Sequence, residues 1–130
     1  GFVVRKDSLV AFFQKHLPLM GLKPHEYNDF IVFWTPLMQK NEWNFVHFRT
    51  GAAYDIVSTN AVIPKPDSEI RVFMDFKKVD KPFDIPAQEI VTPQRNSFTL
   101  VEWGGSAIEQ EVFFKTPNQR FSLKGKIQEN

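Results

Sequence analysis

Ser97-Phe98-Thr99-Leu100-Val101-Glu102-Trp103-Gly104-Gly105 is the stretch whose reading decides how the remaining chain has to be arranged. At the two-residue period of a strand, Phe98, Leu100 and Glu102 share one face, and Ser97, Thr99, Val101 and Trp103 share the other. Both faces are partly apolar, which fits a strand covered on both sides, near the middle of a sheet, better than an edge strand with one wet face. Gly104 and Gly105 supply backbone freedom, so the strand is expected to stop there or to let another segment pass close. Glu102 is carried into hydrophobic company. A carboxylate so placed has to be paired, neutralised, or set at a strand end where water reaches it.

Working outward, residues 69–79 give the clearest strand in the chain. Ile70, Val72, Met74 and Phe76 point one way and Arg71, Phe73, Asp75 and Lys77 the other. Arg71 beside Glu102 or Asp75 would make a bidentate pair, and since an unpaired buried acid is costly, a structural Arg71–Glu102 ion pair is predicted. Between these two strands, residues 82–91 read as an outer strand or extended loop with Phe83 and Ile85 inward and prolines guarding it from edge pairing, and 92–96 as a turn. Upstream, Trp43, Phe45, His47 and Arg49 alternate with Asn44, Val46, Phe48 and Thr50 until Gly51 breaks the run. Residues 52–60 fit a helical turn and a strand equally, and 63–67, with Pro64 and Pro66, form a stiff connector. Downstream, 111–115 and 120–124 bracket a turn at 116–119, as a terminal hairpin or two loosely attached strands.

The N-terminal third has a different period. Phe2-Val3-Val4 is extended but too short to stand without a sheet to join, and the strand that would neighbour it is expected to be missing. Asp7 is a good N-cap, and Leu9, Val10, Phe12, Phe13 and Leu17 recur at three- and four-residue spacing, an amphipathic helix closed by Pro18 and Gly21. Pro24 suits the first position of a second helix, with Glu26 and Asp29 near its positive end. Tyr27, Phe30, Ile31, Trp34, Leu37 and Met38 form its stripe, widened by Val32 and Phe33 so that much of its girth should be buried. Pro36 removes a hydrogen bond, so a kink or an early end near Trp34 or Thr35 is expected.

Length and composition bound the rest. The 130 residues suit one domain, with a two-helix part over 7–41, a sheet over 43–124 and a frayed polar tail over 125–130. Fourteen Phe, three Trp and two Tyr make an aromatic core. A net charge of +1 gives no broad field for nucleic acid or an anionic membrane. The lack of cysteine excludes disulfides, thiol catalysis and thiolate metal sites. No apolar run approaches the ~20 residues that span a bilayer, and no signal-peptide pattern opens the chain.

No catalytic pattern stands out. His16, His25 and His47 fall in three elements at spacings that match no metal motif, so no metal or cofactor is expected. Neither a phosphate loop nor a nucleophile elbow is present, and Ser58, Ser97 and Ser106 lack the context of a nucleophile. Asp75 and Glu102 could pair as carboxylates if their strands are neighbours, although an exposed pair is the commoner outcome on a small sheet. Trp34, Trp43 and Trp103 could make a platform for sugar or peptide, with the core as the default for all three. Phe113, Phe114 and Phe121 interleave with Lys115, Arg120, Lys124 and Lys126 as in single-strand nucleic-acid binders, but a lysine-guarded edge hairpin is the simpler reading.

Three segments together carry a resemblance. Gly21-Leu22 with Glu26, Asp29-Phe30, Phe33-Trp34 and Pro36, then Pro64, Pro66-Asp67 and Arg71-Val72-Phe73-Met74, then Phe98-Thr99-Leu100-Val101-Glu102-Trp103-Gly104-Gly105 resemble the ordered motifs of an uncharacterised prokaryotic domain family, over roughly residues 1–105. Many chains of that family look secreted or attached to the cell surface, so the resemblance implies a bacterial, extracytoplasmic setting. Two departures matter. Such chains usually carry an aromatic strand ahead of the segment matching Gly1-Phe2-Val3-Val4, and they tend to end soon after Trp-Gly-Gly, whereas this chain continues; its tail could replace the missing strand.

The expectation is an α+β domain, with two N-terminal helices packed on a mainly antiparallel sheet of about four to six strands and the 97–105 strand near its middle. Its function is expected to be that of a non-catalytic module binding a protein or glycan, or serving a structural role. The alternative is a small hydrolase-like enzyme using Glu102 and Asp75, with Arg71, in a pocket beside Trp103.

Overall fold

A computed structural model of the chain describes residues 1–56, 65–108 and the backbone of Phe121–Lys124. Two helices pack on one face of a five-stranded sheet, so the fold is α+β. The strands, β1 (Phe2–Arg5), β2 (Trp43–Thr50), β3 (Ser68–Val79), β4 (Thr99–Ile108) and β5 (Phe121–Lys124), lie in sequence order across the sheet. Every neighbouring pair is antiparallel except β3 and β4, which are parallel. The middle position belongs to β3, with β4 next to it as an interior strand rather than an edge. β4 has β3 on one side and β5 on the other. β5 joins the edge opposite β1, so this part of the tail does not stand beside β1 as a replacement for a strand there.

The first helix, α1 (Leu9–His16), follows a single 3-10 turn at Lys6–Ser8. Ser8, not Asp7, holds the N-cap position, and the Asp7 carboxylate is engaged by Arg5, which also donates to Glu42. Leu9, Phe13 and Leu17 face inward, while Val10 is left partly in water. A second 3-10 turn, Pro18–Met20, ends at Gly21, whose φ of 99° is left-handed and suits a residue without a Cβ. A side chain here would also meet Ile70 Cδ1 at 2.9 Å, so the turn lies directly against β3.

The second helix, α2 (Pro24–Met38), begins at the proline as expected and runs two residues beyond Pro36. It does not stop at Trp34 or Thr35. The carbonyl that Pro36 deprives of a partner is that of Val32, a residue 73 % exposed, so water can serve that carbonyl. The same exposure corrects the width of the stripe: Phe30, Ile31, Trp34 and Met38 are buried, but Val32 and Phe33 reach the surface. At the far end, the buried Asn44 of β2 donates from Nδ2 to the Met38 carbonyl at 3.0 Å, which satisfies one of the carbonyls the helix leaves over.

One core joins helices and sheet. Phe13 meets Phe30 edge-on at 5.4 Å, Phe30 meets Trp103 at 5.3 Å, and Trp34 meets Phe76 at 5.9 Å. Such edge-to-face contacts add about 0.5–1.5 kcal/mol each beyond the area they bury. Gly104 and Gly105 do not end β4. A Cβ on Gly105 would lie 2.7 Å from Trp34 Cζ2 and 3.0 Å from the Met74 carbonyl, so the second glycine makes room for the indole of α2. The 52–60 ambiguity resolves as a 3-10 helix at Gly51–Ile56 for the part described, and the expected hairpin strand at 111–115 lies outside the described residues, as does Ser58.

Parallel neighbours require a crossover, usually a helix. Here residues 80–98 make it without regular secondary structure, so of the two readings of 82–91, outer strand or extended loop, the second holds, as an extended strap. Phe83 stacks on Phe45 at 6.3 Å on one side of the sheet, Pro86 O accepts from the Gly1 ammonium at the edge, and Ile90 packs against the helix-side core. The strap thus passes around the β1 edge from one face to the other. Ile85 stays 37 % exposed and Phe83 48 %, so neither is an inward anchor of the kind the sequence suggested.

Candidate functional site

The strand alternation puts two unlike sets of side chains on β3 and β4. Val72 and Trp103 are register partners, and both belong to the helix-side core. Arg71 and Glu102 are register partners one residue earlier, so both point to the opposite face. There Arg71 Nε donates to Glu102 Oε1 at 2.6 Å, with both side chains almost wholly enclosed. The Arg71 guanidinium also lies over the Tyr54 ring, 4.3 Å from its centroid. The 3-10 helix Gly51–Ile56 delivers this tyrosine. Its ring meets Phe73 edge-on at 5.9 Å.

Asp75 completes the layer. It accepts from Arg49 Nε at 2.8 Å, and the Arg49 guanidinium stands 5.9 Å from the Phe73 ring. Arginine, aromatic ring and carboxylate therefore alternate across β2, β3 and the turn above them. Burial first, and the Glu102 charge next, push the Tyr54 phenol well above its ordinary value, with Arg71 pulling the other way. Tyr54 keeps its proton at any physiological pH. Its hydroxyl, and Ser106 Oγ in register with Asp75, find no hydrogen-bond partner among the described residues.

The sequence-derived acids are thus on one face, but they do not converge. Glu102 lies opposite Arg71 and Asp75 opposite Ser106, a four-residue offset that amounts to about 13 Å at ~3.3 Å per residue. Glycosidase carboxylates sit roughly 5–9.5 Å apart. Each acid is instead closed by its own arginine. Trp103 lies on the other face, 1 % exposed between Phe30 and Phe33, so it lines no pocket with Glu102. Trp34 is equally enclosed, which removes two of the three tryptophans from any exposed platform; Trp43 is half-buried.

The histidines are also separate. The His16 ring packs on Phe2 and Phe12 with Nδ1 2.8 Å from the Phe12 carbonyl, His25 is beside Glu26, and His47 is exposed on the β2 face away from the helices. Among the described residues no cluster of His, Asp and Glu could hold a metal ion, and no helix is long and apolar enough to cross a membrane.

Sequence reading missed a second ionic site. Glu26, 5 % exposed on the first turn of α2, accepts from Arg95 Nη1 and Nη2 at 2.7 Å each and from the Lys23 backbone N–H at 2.8 Å. Arg95 Nη1 also donates to the Gly21 carbonyl at 2.8 Å. Burial works to raise the Glu26 carboxyl, but the hydrogen bonds from Arg95 and Lys23 and the charges of Arg95 and His25 outweigh it. The net effect holds the carboxyl below its ordinary range. Beside this pair an open polar cleft of about 490 Å³ is lined by Lys23, Arg95, Asn96, Ser97 and Thr99. The sequence carries a signal for only one half of this site, a glutamate three residues after the N-cap, where such a side chain turns back on the helix start; nothing local points to Arg95.

Taken with this geometry, the chain matches no protein-family model, no curated protein and no solved structure.

Proposed function

We propose that the domain is a non-catalytic binding or structural module, with a protein or glycan as its partner. The observation that carries this reading is the state of its two buried strand acids. Glu102 and Asp75 are each engaged by an arginine within the sheet, about 13 Å apart at ~3.3 Å per residue, and neither shares a face with Trp103. A general acid or base needs a position within reach of a substrate proton. An enclosed carboxylate held at 2.6 Å by a guanidinium under a tyrosine ring is suited to fixing the register of two strands. The sequence resemblance supports placing the module in a bacterial surface or secreted protein.

The reading is tested by turnover. Chromogenic glycosides, carboxylic esters and phosphate esters are offered to the purified protein and to Glu102→Gln and Asp75→Asn chains whose fold is checked by circular dichroism. No hydrolysis above buffer is expected from any of the three. Turnover by the parent chain that disappears in a folded Glu102→Gln chain would overturn the proposal and restore the hydrolase.

A further inference from the structure

The strap is fastened at two places by different chemistry. Midway, Gln88 uses its side-chain amide as a strand uses its backbone, donating from Nε2 to the Phe48 carbonyl at 2.7 Å and accepting from the Phe48 N–H at 2.9 Å. β1 covers only Trp43–Val46 of β2, so Gln88 takes the next pairing position along that edge. Further on, Arg95 is clamped to Glu26 and to the Gly21 carbonyl, with Pro93 against Gly21 and the Asn96 N–H on Ser68 Oγ at 3.0 Å. The other residues of the strap are mostly exposed; its further attachments are the Phe83–Phe45 stack, the Pro86 carbonyl on the Gly1 ammonium and Ile90 against the core.

We propose that the strap is an acid-released element: protonation of Glu26 frees its Arg95 end, while its Gln88 end, made only of amides, stays fastened. Among the described residues, the charged groups facing the Glu26 carboxylate are Arg95 from the strap and His25 from the helix's own first turn, with Nε2 at 3.8 Å; Lys23 contributes its backbone N–H and the preceding turn only the Gly21 carbonyl nearby. Protonating Glu26 leaves a partly enclosed guanidinium without its counter-charge. Water then competes for it better than the one remaining carbonyl does.

The direction of the pH effect follows from the folded state. Because the folded carboxyl titrates below its unfolded value, the latch contributes fully above the ordinary carboxylate range and is lost as pH falls through the folded value. A positive charge on His25, beside Glu26, favours the closed latch rather than opening it.

The experiment follows the two fastenings separately by NMR, using the proton contact between the Pro93 ring and Gly21 for one and hydrogen exchange of the Phe48 amide for the other. In Glu26→Gln at neutral pH, the Pro93–Gly21 contact should vanish and the Asn96 amide should exchange about tenfold faster or more, with Phe48 exchange changed less than about twofold. Arg95→Met leaves the Lys23–Glu26 cap in place and should give the same pattern should Glu26→Gln fail to fold. In the parent chain, the contact should be lost on acidification while Val72 of the central strand stays protected. A Pro93–Gly21 contact that persists in either variant, or a Phe48 amide that opens together with it, would overturn the two-latch strap.

Discussion

The two faces of β3 and β4 are built from alternate residues of the same strands, yet they are held by unlike physics. Toward the helices, Val72, Met74 and Trp103 share one apolar core with Phe30 and Trp34. On the other side, Arg71, Asp75 and Glu102 are enclosed just as completely, with Tyr54 and Phe73 between the ions. Apolar contacts have no preferred direction, and their strength follows the area and volume filled. An enclosed ion pair is unforgiving: it offsets its own desolvation only while both partners stay in place. One face supplies most of the cohesion, and the other fixes which residue of β3 stands beside which residue of β4.

Three sets of substitutions would break or sharpen that contrast. The largest effect is expected from Trp103→Ala, which empties part of the helix-side core and should cost about 3–5 kcal/mol in urea unfolding. Replacing Arg71 by Met removes the guanidinium that Glu102 accepts from, at a cost toward the lower end of about 3–5 kcal/mol; adding Glu102→Met should recover most of it. If the double variant is no more stable than Arg71→Met alone, the ion pair is not what the second face depends on. The smallest effect should come from Gly105→Ala, where the new methyl meets the Trp34 indole at 2.7 Å. Overpacking of that kind costs about 1–3 kcal/mol, and shortening the indole with Trp34→Phe should relieve part of it.

Much of this was legible in the sequence where periodicity carries the information. The alternation over residues 69–79 gives β3 and its two faces, and the stripe from Tyr27 to Met38 gives α2 and its buried side. Arg71 and Glu102 could be paired on paper because each sits among apolar neighbours and needs an opposite charge. Other features have no local signature. Nothing in residues 80–98 announces a crossover, since parallel pairing is ordinarily bridged by a helix and this strap contains none. Gly104 and Gly105 resemble a stop signal, and only the position of Trp34 reveals the second as a clearance. Arg95 and Glu26 are 69 positions apart, and no spacing rule connects them. The pocket imagined beside Trp103 conflicted with the alternation itself, which already sent Glu102 and Trp103 to opposite faces.

The parallel pairing of β3 with β4 also sets the order in which the chain can fold. Glu102 reaches Arg71 across 31 positions, and the intervening strap has no structure of its own to shorten the search. Closing so long a loop before any contact rewards it is slow compared with forming the helices and the β2–β3 ladder. Until it closes, a strand that is apolar on one face and ionic on the other stands open along one side, with the Arg71 guanidinium unclaimed by Glu102. Refolding from denaturant is therefore a race between β4 of the same molecule and β3 of another, and its yield should fall as protein concentration rises.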